Sequence, residues 1–186
     1  MAVLIEAISA VIRADKLLLK FPGGWDRFKE FVPNNTLCAD DELVRVGFMS
    51  PTDVKSFIAE LNSIGLEYII NGHANDMVVV DQIKGFMCKC SWAEFGKINI
   101  GNESNEIVAT CRLVGSKLSK VITPPLWIYE GSLSNSFGFT PTESLDKGLK
   151  YLRHENGIDV YINRITGKEV YIGRTGKNPI NNIKNF

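Results

Sequence analysis

The stretch Leu43–Ile70, LVRVGFMSPTDVKSFIAELNSIGLEYII, decides the fold class. Its centre carries full helix punctuation. Ser50 precedes Pro51, so a hydroxyl can accept from the free N–H groups of a first turn while proline fills a position that needs no donor. Asp53 places a carboxylate at the positive end of the helix. Val54, Phe57, Ile58, Leu61 and Ile64 then recur at helical spacing and form one apolar stripe. Gly65 permits the left-handed conformation that ends many helices. On either side the pattern changes: LVRVGFM and LEYII are short apolar runs of strand character. A capped amphipathic helix between two strands is the unit from which the rest of the reading extends.

Towards the N-terminus, residues 2–13 are rich in Val, Ile and Ala and predict one first strand. Asp15 is placed to cap a short helix, DKLLLKF, which Pro22-Gly23-Gly24 interrupts. WDRFKEFV continues as a helical turn or two and stops at Pro33. Towards the C-terminus, MVVVDQ (77–82) is apolar on both faces and suits a central strand. FMCKCSW (86–92), KINI (97–100), EIVATCRLV (106–114) and LWIYE (126–130) read as further strands. GFTPTESLDKGLKYLRHENG (138–157) repeats the helix punctuation, with Thr140 as cap, Pro141 in the first turn and Glu143 at the capping-box position. Leu145, Leu149 and Leu152 form its stripe and Gly157 its stop. Segments 47–70 and 138–162 thus share a grammar of capped helix, glycine and strand, which suggests a weak internal duplication. IDVYIN and EVYIG close the chain as a β-hairpin with Gly167 in the turn. The expected fold is α+β, a mainly antiparallel sheet with about three helices packed over it and a C-terminal hairpin, in a single domain spanning 1–186.

Composition narrows the function. The 21 Lys+Arg balance 21 Asp+Glu, so the basic excess with which most nucleic-acid binders neutralise phosphates is missing. MAVLIEAISAVIRAD is apolar, but Glu6 interrupts it and no basic region precedes it, which argues against a secretory signal. No run reaches transmembrane length. Cys38, Cys88, Cys90 and Cys111 do not form a disulfide framework in a chain this long. A cytoplasmic, reduced protein is expected, without a cofactor.

The pair Cys88-Lys89-Cys90 is the first candidate for chemistry. On a strand both thiols share a face with Phe86 and Trp92, with Cβ atoms too far apart to bridge. The usual CxxC spacing of a zinc site is lacking. Packing, not metal binding, is the expected role. His73 and Asp76 would offer two ligands from a turn, where exposed polar residues are commonplace, and Gly173–Lys177 has the wrong spacing for a phosphate loop. Residues 157–175, GIDVYINRITGKEVYIGRT, resemble in part the opening hairpin of GIY-YIG nucleases, with Val170-Tyr171-Ile172-Gly173 aligning on the motif's second half. The resemblance would imply metal-dependent cleavage of nucleic acid. It departs at Asp159, where that family has tyrosine, and Gly176–Phe186 holds no glutamate for a metal. The nuclease reading is set aside on those departures.

Glu6, Arg45 and Arg112 stand inside otherwise apolar strands, where an ionised group needs a partner or water. If they converge with Trp25, Trp92 or Trp127, they line a pocket with apolar walls and a few polar anchors. Arginine would then favour a small anionic or carbonyl-bearing molecule. The leading reading is a non-catalytic, homo-oligomeric module that binds a small molecule or a partner, at a site formed from Glu6, Arg45, Arg112, Trp92 and Trp127. The alternatives are a small enzyme without a recognisable motif, using strand-borne Glu, Arg or Asp, and a protein–protein inhibitor of the immunity type. Neither a membrane nor a nucleic acid is an expected partner.

Overall fold

A computed structural model describes residues 1–101, 106–130, 132–136, 149–155, 158–163 and 169–173. It shows an α+β fold in which the sheets are mostly antiparallel. The first expected strand is two strands. β1 (Ala2–Ile5) and β2 (Ile8–Arg13) belong to different sheets. Between them the chain turns a corner at Glu6-Ala7, where Ala7 takes φ 51°. Periodicity could not reveal this break, because both strands are buried along almost their whole length and neither alternates.

The larger sheet runs β3-β4-β2-β7-β8, built from Cys38–Ala39, Leu43–Phe48, β2, Met77–Asp81 and Gly85–Phe86. Its strands show the two-residue period in three dimensions. Ala10, Ile12, Val44, Val46, Phe48, Met77 and Val79 face a core closed by helices, whereas Val11, Leu43, Val78 and Val80 face the second sheet. That second sheet runs β11-β1-β10-β9, from Val121–Ile122, β1, Ile107–Leu113 and Ala93–Asn99. Val3, Ile5, Ala109 and Cys111 fill the space between the sheets. The order of layers is therefore helices, sheet, sheet.

Three helices cover the larger sheet: α1 (Ala14–Lys20), α2 (Gly24–Phe31) and α3 (Pro51–Ile64). α3 begins as the sequence predicts, with Ser50 Oγ accepting from Thr52 N at 3.1 Å and Asp53 N at 3.4 Å. Gly65 ends it at φ 108°, and the N–H groups of Gly65 and Leu66 return to Asn62 and Leu61. A side chain at Gly65 would be strained there. Val54, Phe57, Ile58 and Leu61 are buried against the sheet, with Ile64 at the margin. Asp15 does not cap α1. Arg13 occupies that position in extended conformation, and Asp15 sits in the first turn, held by both Nε and Nη2 of Arg13.

Several expected elements differ. FMCKCSW is strand only at Phe86; Lys89 makes one isolated bridge with His73. LWIYE is not a strand: Leu126 turns back at φ 62° and Trp127 N donates to the Pro124 carbonyl in a turn. LEYII is strand only over β5 (Ile69–Ile70), which pairs with β6 (His73–Ala74). α4 (Leu133–Ser136) is a single turn.

The C-terminal hairpin is present as β13 (Ile158–Asn163) and β14 (Glu169–Gly173), with β12 (Leu149–Glu155) as a third antiparallel strand. Leu149 and Leu152, expected on the last turns of a helix capped by Thr140, stand in β12 instead. The remainder of that expected helix and the Gly167 turn lie outside the described residues. A bulge explains the misleading spacing: the register slips between Tyr151 and Arg153, so Leu152 is an extra residue in the ladder. No helix among the described residues is long and apolar enough to cross a membrane.

Candidate functional site: a cleft at the corner between the sheets

The corner at Glu6-Ala7 leaves backbone groups outside both ladders, and buried polar side chains take them up. Gln82 accepts from Ala7 N through Oε1 at 2.9 Å and donates its own N–H to Ala7 O. The Glu6 carbonyl accepts from Ser9 Oγ at 3.0 Å and from Arg45 Nη2 at 2.9 Å. Arg45 is only 2 % exposed. Its Nε donates to Ser9 Oγ and its Nη1 to the Thr36 carbonyl. Three of five guanidinium N–H groups are thus spent on neutral oxygens. Among the described residues no carboxylate forms an ion pair with it. Burial pulls its pKa below the usual arginine range, with Cys38 and Glu6 pushing back.

Gly47 belongs to the same arrangement. A Cβ there would stand 2.4 Å from Arg45 Nη2, so only glycine lets the guanidinium lie across the strand. Asn34 Nδ2 donates to the Gly47 carbonyl at 2.9 Å, and Gly47 N donates to Thr36 Oγ1 at 2.7 Å. Asn34 and Thr36, both ahead of β3, thereby fix the wall beside the arginine.

Glu6 points the other way. Its Oε2 accepts from Trp127 Nε1 at 3.1 Å, and its Oε1 accepts from Ser134 N at 3.0 Å and Ser134 Oγ at 2.7 Å. One carboxylate so ties Trp127 and Ser134 to the corner. At this corner lies a cavity of about 270 Å³, lined by Glu6, Arg45 and Trp127 with Phe48, Met49 and Leu133. Pro124, Pro125 and Leu126 form its lip, and Leu126 is 99 % exposed. Ala7 and Leu126, two of the three described non-glycine residues with positive φ, both line this cavity. Gln82 holds Ala7 in this conformation through both its backbone groups, and such positions gather at binding sites.

Of the residues singled out in the sequence, Glu6, Arg45 and Trp127 meet here. Arg112 and Trp92 lie elsewhere. Arg112 faces Glu94 directly across the β9–β10 ladder, with Nε to Oε2 at 2.8 Å, and its Nη1 donates to the Ser116 carbonyl. Trp92 packs on the core between the sheets and donates from Nε1 to the Ala74 carbonyl at 3.2 Å. Trp25 stacks on Phe28 within α2. The sequence reading missed Asn34, Thr36, Ala7 and Leu126. The Pro124-Pro125 pair was the available signal for Leu126, whereas nothing in the sequence marks Ala7.

None of the four thiols lines this cleft; Cys38 packs between the sheets, in the register position opposite Arg45. Cys88 and Cys90 alternate inwards with Phe86 and Trp92, while Met87, Lys89 and Ser91 are exposed. No group of three His, Cys, Asp or Glu side chains placed to hold a metal occurs among the described residues. No known protein family, curated protein or solved structure matches this chain.

Proposed function

We propose that this chain is a non-catalytic binding module whose corner cleft takes a small, neutral, carbonyl-bearing molecule. The observation that carries the reading is the convergence of a buried arginine without a carboxylate partner and two strained non-glycine residues on one cavity. The Arg45 guanidinium on the cavity wall favours an acceptor, and a carbonyl supplies one. Glu6 lines the same cavity, so a second anion would meet a carboxylate in a partly desolvated space. That favours a neutral ligand over a charged one. Trp127, Phe48 and Met49 give the apolar walls, and the volume suits a molecule of fragment size. Both oxygens of Glu6 already accept hydrogen bonds from the protein, which favours binding over general-base catalysis.

Ligand-observed NMR with benzamide, 2-piperidone and benzoate tests the proposal. Benzamide or 2-piperidone is expected to bind saturably, more tightly than benzoate, and at least five-fold more weakly in Trp127→Ala. Equal binding to wild type and Trp127→Ala, or no binding of either neutral probe at millimolar concentration, overturns it.

The same reading includes self-association through the sheet β12–β14, where Tyr151 and Leu152 are exposed. Edge strands with apolar side chains offer unpaired backbone groups to a second copy, and symmetric pairing would close a dimer.

A further inference from the structure

A second cavity is larger than the corner cleft. A groove of about 540 Å³ runs between α3 and the larger sheet, on the side away from α1 and α2. Ile8, Val54, Ile58 and Val79 form its apolar floor. Tyr68 and Met87 stand at its sides, and Met87 is 55 % exposed although it borders apolar surface. This volume lies within the range of small-molecule sites.

Two cations border the groove from different elements. Lys55 comes from α3 and Lys84 from the turn after β7, and neither ammonium is paired with a carboxylate among the described residues. The one acid in the lining is Asp81, whose Oδ1 accepts from Ile83 N and Lys84 N, both at 2.8 Å. That carboxylate is engaged in folding its own turn. The groove therefore combines an apolar floor with a net positive rim. A ligand complementary to both has an apolar chain and one terminal anion.

We propose that the α3 groove binds an amphiphilic carboxylate, an alkyl or aryl chain ending in a single carboxyl group, with the chain on Val54, Ile58 and Val79 and the carboxylate between Lys55 and Lys84. The assignment stands on this groove alone and is independent of the corner cleft.

The test is a fluorescence titration of the full chain with a dansyl-tagged undecanoate and with its methyl ester. The acid is expected to bind one-to-one with a blue shift. The double variant Lys55→Gln/Lys84→Gln should weaken it at least ten-fold, and Ala59→Trp, which places an indole in the groove, should abolish it. The methyl ester should bind at least ten-fold more weakly than the acid and be indifferent to the double variant. All three substituted positions are exposed on the surface, and circular dichroism confirms that each variant is folded. No saturable signal with wild type overturns the proposal. So does unchanged affinity in folded Lys55→Gln/Lys84→Gln, unchanged affinity in folded Ala59→Trp, or a methyl ester that binds as tightly as the acid.

Discussion

Asp76 is 1 % exposed, and its Oδ2 accepts from Lys20 Nζ at 2.7 Å and from Glu67 N at 2.8 Å. The pair ties α1 to the loop after α3. The Asp76 hydrogen bond, with help from Glu67, raises the Lys20 pKa above its ordinary 10.5. A raised lysine pKa contributes stability that is complete below the ordinary value and fades as pH climbs through the raised one. Lys20→Met is therefore expected to cost about 1–3 kcal/mol at neutral pH, since it leaves the buried Asp76 carboxylate with neutral donors only. Denaturation curves taken as pH rises through the raised lysine pKa should bring wild type and variant together; a gap that stays constant would show that the lysine charge contributes nothing. Burial likewise pushes the thiols of Cys38, Cys90 and Cys111 up, most strongly at Cys111. At pH 8 these groups hold less thiolate than a free cysteine, so alkylation by iodoacetamide should be slow in the native protein and fast in denaturant. Metal analysis of protein purified without chelator should find no stoichiometric zinc; near-stoichiometric metal lost with Cys88→Ser would overturn the packing role. At this scale the sequence was partly legible. A charge inside an apolar strand is a real signal, and Glu6 and Arg45 repay it. Arg112 carries the same signal for a duller reason, because the ladder sets it opposite Glu94, eighteen positions earlier in the chain. Pairing across strands is invisible until register is known.

Elements are legible where local rules agree with the tertiary structure. Ser50, Pro51, the stripe and Gly65 all point to one helix, and α3 is that helix. Phe57 lies at the centre of its stripe, with ring centroids 5.1 Å from Phe48, 5.7 Å from Phe31 and 6.5 Å from Phe28. It is 3 % exposed. Phe57→Ala is expected to destabilise the protein by about 3–5 kcal/mol in urea denaturation; a midpoint equal to wild type would mean that the ring adds nothing to the core. The misread elements fail where the backbone departs from regular pairing. FMCKCSW keeps the in-and-out alternation of a strand without a ladder beyond Phe86. The bulge at Leu152 turns a strand's spacing into something helix-like. The corner at Ala7 divides one apolar run between two sheets. In each case the hydrophobic pattern reports burial faithfully, but burial alone does not tell which backbone partners a segment finds.

For the whole molecule, the α+β class follows from the alternation of strand-like and helix-like runs, while the stacking of two sheets does not. Both faces of the larger sheet are apolar, and the sequence cannot say whether helices or another sheet cover the second face. Self-association is the prediction that belongs here. Light scattering over a dilution series is expected to show a dimer that dissociates at least ten-fold more readily in Leu152→Glu. A protein that is monomeric at every concentration would remove the idea, as would a dimer indifferent to that change.

The placement of β1 has a consequence for synthesis. Its partners are β10 and β11, so Ala2 and Val3 meet Val121 and Ile122 only near the end of the described sandwich. β2, which follows immediately, is fully paired once Asp81 has been made. A chain leaves the ribosome N-terminus first at about 5–20 residues per second. The helix-covered layer can therefore close while Ala2–Ile5 waits for β10, on the order of 2–6 s, as an unpaired apolar strand. Translation brings the first strand out early and gives it work late. Nascent chains stalled shortly after Asp81 has cleared the exit tunnel should carry β1 in a form that protease cuts and hydrophobic chaperones bind. Chains stalled after Ile122 has cleared it should hide that strand.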